Sequence, residues 1–304
     1  IRANKEASQA MELEWNKLVQ KNCFDFSVVR ESWDIKKKGK AEGFKVHLGK
    51  VFGICVQKGA ELPKGAEGQY FKGRYVFQGN DVSDEWGEAA VFNELSSNPA
   101  SIEGSKCLDA YGLLEGNDVE QGDGEQSYIQ AELGDYTPDH GHMTEGRPKL
   151  IRTETWVRIP VEMRPKDDPK WKDLKDPVIK VKMALYGHPD SGAYWERHCD
   201  KVLKEIGFDP IHENWPSMYF NKGLKMMLMV YVDDFKLAGP KNNMKRAWDL
   251  IKRKITLGST GPVHKYLGCN HVIKETLRNK KIRRTMHYDM TGFMKSCVQS
   301  YKDL

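Results

Sequence analysis

An α+β fold is what this sequence predicts, and three observations predict it. Apolar residues recur at helical spacing in several separate stretches, short β-rich runs fall between them, and the two kinds do not alternate as strict βαβ units. The most informative stretch is Met226-Met227-Leu228-Met229-Val230-Tyr231-Val232-Asp233-Asp234-Phe235-Lys236-Leu237-Ala238-Gly239. An apolar run meets two adjacent carboxylates, and a second β-rich run closes at a Gly-Pro turn. It reads as two buried strands with the Asp pair at their connection. Two neighbouring aspartates at a hairpin tip can share a divalent cation, because hard cations prefer carboxylate oxygens. Asp also suits tight turns through local hydrogen bonds. On this stretch alone both readings stand.

The other elements follow in order. Ala7, Met11, Trp15 and Leu18 keep helical spacing and Asn22 marks a stop, so the chain opens on an amphipathic helix. Lys36-Lys37-Lys38, with glycines close by, reads as a solvated loop, with a phosphate contact as the sharper alternative. Residues 49–56 read as a strand. Residues 70–79 read as an exposed strand in which basic residues alternate with aromatic and β-branched ones. A short helix is expected around 88–95 and another over 100–114. Between Leu133 and Leu150 the Gly, Pro, His and Asp content predicts a long loop. Residues 155–160 and 178–185 read as strands. Asp190 or Ser191 can cap a helix that carries Trp195, Cys199, Val202 and Ile206 and closes at Gly207. Met218-Tyr219-Phe220 reads as a strand. Met244, Ala247, Trp248, Ile251 and Ile255 mark a further helix, a strand pair starts at 265–269, and 291–301 reads as helix.

Composition narrows the class. With 304 residues, 39% hydrophobic and 30% charged, the chain can build one large domain or two modest ones under a polar surface. A net charge of +5 suits a nucleic-acid partner without establishing one. No run approaches the roughly 18 apolar residues that span a bilayer, so no membrane association is expected. The polar N-terminus lacks Met and a signal core, which suggests a fragment. Six scattered cysteines predict reduced thiols inside the cell rather than a disulfide framework.

Five segments together resemble the reverse transcriptase domain of copia-type retrotransposon Pol polyproteins. Lys72-Gly73-Arg74-Tyr75-Val76 looks like that family's basic fingers strand. Asp123 through Ala131 is similar to the segment with its first catalytic Asp, followed five residues later by an aromatic, here Tyr128. Leu185-Tyr186-Gly187 with Trp195 resembles the motif that opens the palm helix. Tyr231-Val232-Asp233-Asp234 is similar to the polymerase signature, and Tyr266-Leu267-Gly268 to the primer-grip strand. Any one match is weak, whereas their order along most of the chain is specific. The resemblance implies a right-hand polymerase fold with fingers, palm and the start of a thumb. Its divisions would be 1–40 for an N-terminal helix and basic linker, 41–262 for fingers and palm, and 263–304 for the primer grip and start of the thumb.

The same resemblance implies an RNA-directed DNA polymerase that uses two Mg²⁺ ions, with Mn²⁺ as a substitute. Asp123, Asp233 and Asp234 would be the catalytic metal ligands. Lys72 and Arg74 would hold the incoming triphosphate, and Tyr128 would stack under the sugar and reject a 2′-hydroxyl. Tyr266, Leu267 and Gly268 would grip the primer. Asp190 occupies the nucleotide-contacting place where the family usually carries Gln, and a carboxylate there reads mainly as a helix cap. Implied partners are an RNA or DNA template–primer, dNTPs and the rest of the polyprotein, including integrase and ribonuclease H. The expected setting is a cytoplasmic particle or the nucleus, and the chain is not secreted.

Several departures and alternatives bear on this reading. Gly122 stands where an apolar strand residue normally precedes the first Asp, which weakens that strand. Asp123 and Asp233 are 110 positions apart, longer than the family suggests, with the loop after Leu133 as the excess. A competing register places the first Asp at Asp118. Asp139, His140 and His142 read as a solvated cluster, and His198-Cys199 as part of a helix rather than a nucleophile–base pair. Two other functions stand beside the polymerase: a decayed copy that binds nucleic acid without extending it, and a structural module whose Asp pair is a turn.

Overall fold

Asn4 starts the first element: its side-chain oxygen accepts from the Ala7 N–H at 3.1 Å, and α1 (Lys5–Gln20) buries the expected stripe of Ala7, Met11, Trp15 and Leu18. The computed structural model describes residues 4–60, 65–92, 100–134, 136–144 and 147–302, with side chains described outside 136–150. After α1 come β1 (Phe24–Glu31), α2 (Ser32–Glu42), β2 (Lys45–Lys58) and β3 (Tyr70–Phe77). Then α3 (Ile102–Gly112) leads into β4 (Asn117–Gly124), and β5 (Tyr136–Thr144), β6 (Arg147–Arg158) and β7 (Pro177–Val181) follow. The remainder is α4 (Ser191–Glu205), β8 (Asp209–Pro210), β9 (Met218–Asn221), β10 (Met226–Tyr231), β11 (Asp234–Pro240), α5 (Lys241–Lys252), β12 (Leu257–Pro262), β13 (Lys265–Tyr266), β14 (Cys269–Arg278), β15 (Lys281–Asp289) and α6 (Thr291–Lys302). The α+β class expected from the sequence is the class that forms.

Contacts divide the chain into two units, one of residues 1–96 and 128–195, the other of 97–127 and 196–304. Within the first unit, α1 packs on β2 and β3.

The first unit holds a sheet in the order β1-β7-β6-β2-β3, with β5 paired to β6. Trp15 stacks on Phe24 at 5.4 Å between ring centres and meets Tyr75 edge-on at 5.0 Å. Gly73 is what lets α1 approach β3: a Cβ there would lie 2.6 Å from the Ala10 carbonyl oxygen and 2.9 Å from Met11 Cα. Gly73→Ala is expected to cost about 1–3 kcal/mol through this overpacking. A urea melt with an unmoved midpoint would show that the helix yields freely.

Three expectations change here. Lys36–Lys38 lie in α2 and not in a loop, because Ile35 and Gly39 are buried one turn apart while the lysines turn toward solvent. The Gly- and Pro-rich stretch after Leu133 is largely the β5–β6 strand pair, running from Tyr136↔Arg152 to Thr144↔Arg147. Its composition concealed it, because β6 supplies the pairing edge. No helix forms over 88–92, and 93–95 lie outside the described residues. There the Asp84 carboxylate accepts from the Trp86 and Glu88 N–H groups at 2.8 and 2.9 Å, which fixes a turn.

The second unit holds a sheet in the order β12-β4-β11-β10-β9-β8 and a separate sheet β13-β14-β15. Its core gathers Leu108 of α3, Val119 of β4, Met229 of β10, Ala238 of β11 and Tyr266 of β13. Trp248 and Ile251 of α5 are also buried. Among the described residues no helix is long and apolar enough to cross a membrane.

Candidate active site

The β10–β11 hairpin forms as the apolar runs on both sides of the Asp pair predict, with Val230↔Phe235 and Tyr231↔Asp234 as the last rungs before a two-residue turn of Val232 and Asp233. Val232 stands at φ 59°, a left-handed conformation that strains a β-branched side chain. Strain of this kind costs on the order of 1–3 kcal/mol and is held only by a firm surrounding ladder. β4 supplies that ladder. It pairs with β11 from Asn117↔Pro240 to Asp123↔Asp234 without a break. Residues directly opposite in antiparallel strands share a face, so Asp123 and Asp234 project to the same side. The Gly124 N–H donates to the Asp233 carbonyl at 2.6 Å, tying the turn to the end of β4.

Gly122 does not weaken its strand. A Cβ there would meet Thr260 at 2.9 Å and the Trp248 ring at 3.3 Å, so the glycine makes room for the indole. Trp248 Nε1 in turn donates to Glu120 at 2.7 Å. Asp118, the competing first aspartate, lies opposite Gly239 at the far end of β4 and pairs with Lys241 and Arg284. Five residues of strand place it about 17 Å from Asp123, away from the Asp pair.

The carboxylates feel one another. Burial first, and then the charges of Asp233 and Asp123, push the Asp234 carboxyl up to about 6. Among the described residues, no group of three His, Cys, Asp or Glu side chains is already drawn into a metal cage. What the backbone provides is the convergence of three oxygen donors that repel each other.

The first unit gathers a second set of expected residues. Lys72 and Arg74 occupy the exposed face of β3, opposite the face of Gly73, Tyr75 and Phe77. The Arg74 guanidinium lies 5.7 Å from the centre of the Tyr186 ring, and Tyr186 lies 4.8 Å from Tyr128. Tyr186 thus joins a row that sequence reasoning built without it. Gly187, at φ 86°, permits the turn behind Tyr186, since a Cβ there would meet the Phe77 carbonyl oxygen. Asp190 is 2% exposed, and its carbonyl accepts from the Tyr194 N–H at the start of α4. That placement suits the capping role over contact with a nucleotide. The Asp139, His140 and His142 side chains lie outside the described residues. Cys199 is buried on α4, where burial raises its thiol well above the ordinary range, so it offers no nucleophile.

Tyr266 is buried, whereas Leu267 and Gly268 form the β13–β14 turn at φ 48° and 79°. Positive φ at both positions is the geometry of a tight two-residue hairpin, and it holds Leu267 out in solvent.

Residues 151–291 match the family model for reverse transcriptase (RNA-dependent DNA polymerase). A putative transposon Ty5-1 protein of Saccharomyces cerevisiae is 31% identical over 101 residues, covering 31% of this chain and 32% of the relative. Just under half of the chain is thus similar to a reverse transcriptase domain. The chain spans about a third of that curated relative's length. Two solved structures also align at 10% identity: a Candida albicans telomerase in complex with a fragment of telomeric RNA (TM-score 0.38, 86% of this chain, 48% of that one) and a foamy viral protease–reverse transcriptase in complex with double-stranded DNA (TM-score 0.39, 96% and 37%). The family match includes Asp233, Asp234 and the 266–268 hairpin, and does not reach Lys72, Arg74, Asp123 or Tyr128.

One feature of the second unit gave no signal that was read in the sequence. Lys236, two residues past Asp234, is fully buried. Its ammonium lies 3.0 Å from both oxygens of the Asp109 carboxylate, 2.6 Å from Ser105 Oγ and 4.6 Å from the Tyr266 ring centre. Tyr266 donates its hydroxyl to the Asp234 carbonyl at 3.3 Å. Burial raises the Asp109 carboxyl, but His271, Lys236 and Tyr288 outweigh it and hold the group below the usual carboxylate range. A lysine amid Phe235-Lys236-Leu237-Ala238 was the available signal: a charge inside a buried strand needs a partner.

Proposed function

We propose that this chain is the fingers–palm part of a copia-type reverse transcriptase, an RNA-directed DNA polymerase that transfers a nucleotide from a dNTP to a primer 3′-hydroxyl. One observation carries the proposal: Asp123 and Asp234 face each other across β4 and β11, with Asp233 in the turn that Gly124 ties down. The donors are all carboxylate oxygens, the set that Mg²⁺ or Mn²⁺ takes, and their mutual repulsion is what a cation would relieve. A divalent metal held by these carboxylates would supply charge stabilisation for the attacking and leaving oxygens of an in-line displacement.

The chain's own residues divide the remaining work. Asp123, Asp233 and Asp234 would together hold the metal. Tyr266 steadies the Asp234 backbone through its hydroxyl. Arg74 and Lys72 would bind the triphosphate, Arg by its planar fork and Lys as a point charge. Tyr128, backed by Tyr186, would lie under the sugar and exclude a 2′-hydroxyl. Leu267 and Gly268 would meet the primer end. The remainder of a polyprotein and an intracellular setting, in a cytoplasmic particle or the nucleus, belong to the same proposal.

Primer extension on a homopolymer template with Mg²⁺ tests it. Asp233→Asn is expected to lower extension by about 10³-fold or more, since charge stabilisation by a bound metal is worth several kcal/mol and each 1.36 kcal/mol is a decade. A wild-type chain that extends no better than Asp233→Asn would sink the polymerase reading and leave a copy that only binds nucleic acid.

A further inference from the structure

The β14–β15 ribbon pairs one residue to one from Asn270↔Asp289 to Arg278↔Lys281, with no shift of register. Alternate rungs therefore share a face. One face is docked. His271 Nε2 lies 3.6 Å from Asp109, and the Tyr288 hydroxyl donates to the same carboxylate at 2.9 Å. Met286 packs against the core, and Arg284 donates to the Asn117 carbonyl at 2.7 Å and the Gly112 carbonyl at 3.1 Å. These bonds hold the ribbon rigidly on α3 and β4.

The opposite face is exposed along its length and carries a cation on each of its last three rungs. Lys274 lies opposite Thr285, Arg283 opposite Thr276, and Arg278 opposite Lys281, with Lys280 in the turn beyond. None of these five has a carboxylate within ion-pair distance among the described residues. Elsewhere on the surface Lys204 of α4, Lys245 of α5 and Lys254 in the turn after α5 each hold one at 2.7–2.8 Å. Rungs on one face are about 6.8 Å apart, close to two steps of 3.4 Å along a nucleic-acid strand. Charges that merely guard a strand edge work with either sign. A fixed row of one sign repels itself unless it meets a polyanion.

We propose that this outward face is a track for the phosphate backbone of a nucleic-acid duplex. The identity of the partner rests on the polymerase reading, while the surface itself rests on the ribbon's geometry. Contacts of this kind position the duplex without reading its sequence.

The test measures binding of the full chain to a fluorescent RNA–DNA duplex by anisotropy, from about 50 to about 200 mM salt. Exchanging Lys274, Arg278, Lys281 and Arg283 for Gln is expected to flatten log K against log salt by about 0.9 per lost contact, so about 3.6 for all four. Affinity at about 100 mM salt should fall about tenfold or more. The melting midpoint should hold, because all four side chains are exposed. Exchanging Lys245, Arg246, Lys252 and Arg253 of α5 for Gln removes equal charge and should leave the slope in place. An unchanged slope in the ribbon variant, with extension intact, overturns the proposal and leaves an acidic protein surface as what the face meets. A ribbon-dependent slope in a chain that cannot extend primers sinks the polymerase reading and supports the track.

Discussion

Asp234→Asn is expected to stabilise the protein in EDTA above pH 6 by about 1–2 kcal/mol while abolishing extension. The Asp234 carboxyl is pushed up from 3.8 to about 6 by burial and by Asp233 and Asp123. Its folded value exceeds its unfolded one, so its contribution to stability is fully present below about pH 4 and is lost as pH rises through about 6. Above that point the charged group costs the fold, and an uncharged isostere removes the cost. A shift of this size corresponds to about 3 kcal/mol at 1.36 per unit. The group is half-buried, and solvent screening reduces that figure to the 1–2 stated. Thermal melts at pH 8 and pH 4.5 check it: the variant should melt a few degrees higher at pH 8, and most of that advantage should be gone at pH 4.5. A variant equally or less stable at pH 8 would mean the carboxylates do not strain the fold. Added Mg²⁺ should raise the melting point of wild type more than that of the variant, and this gain should shrink below pH 6 as protons compete for the oxygens.

Cutting the Lys236–Asp109 pair from one side should cost about 3–5 kcal/mol, because an ammonium or carboxylate is left buried and uncompensated. Asp109→Asn is the more damaging of the two cuts. Lys236 then keeps only Ser105 and the Tyr266 ring, whereas after Lys236→Met the Asp109 carboxylate retains Tyr288 and His271. The double variant Asp109→Asn, Lys236→Met should recover much of the loss, since two uncharged groups need no partner charge. Urea unfolding of the four proteins decides it, and single losses that simply add in the double variant would exclude a coupled pair. Because Asp109 sits below the usual carboxylate range, the pair's contribution is present at neutral pH and is lost as pH falls through the folded value of Asp109. Lys236→Met should also loosen Tyr266 and its bond to the Asp234 carbonyl, so primer KM should rise more than kcat falls.

Helices with a clear apolar stripe were legible in the sequence: α1, α4 and α5 form where Ala7 to Leu18, Trp195 to Ile206 and Met244 to Ile255 predict them, with α4 and α5 ending at Glu205 and Lys252, short of Ile206 and Ile255. The hairpin around the Asp pair was legible for the same reason, since its strands are apolar on both sides of two turn-forming aspartates. β5 was not, because a strand rich in Gly, Pro and His takes its structure from the partner edge of β6. The α2 lysines misled because a charge run is equally at home on a loop and on the solvent side of a helix.

By itself the sequence determined which side chains carry usable chemistry: the three aspartates, Lys72 and Arg74, and the aromatic at 128, with Lys236 not among them. Only the tertiary structure decided their relations. The register of β4 against β11 sets Asp123 opposite Asp234 and Asp118 opposite Gly239, since one strand's length separates two candidates that look alike in one dimension. Packing decided that Gly122 serves Trp248, that Tyr186 joins Arg74 and Tyr128, and that Lys236 finds Asp109. The physical reason is common to all four. Side-chain chemistry is local and can be read residue by residue, whereas strand register and the pairing of buried charges depend on contacts between segments far apart in the chain.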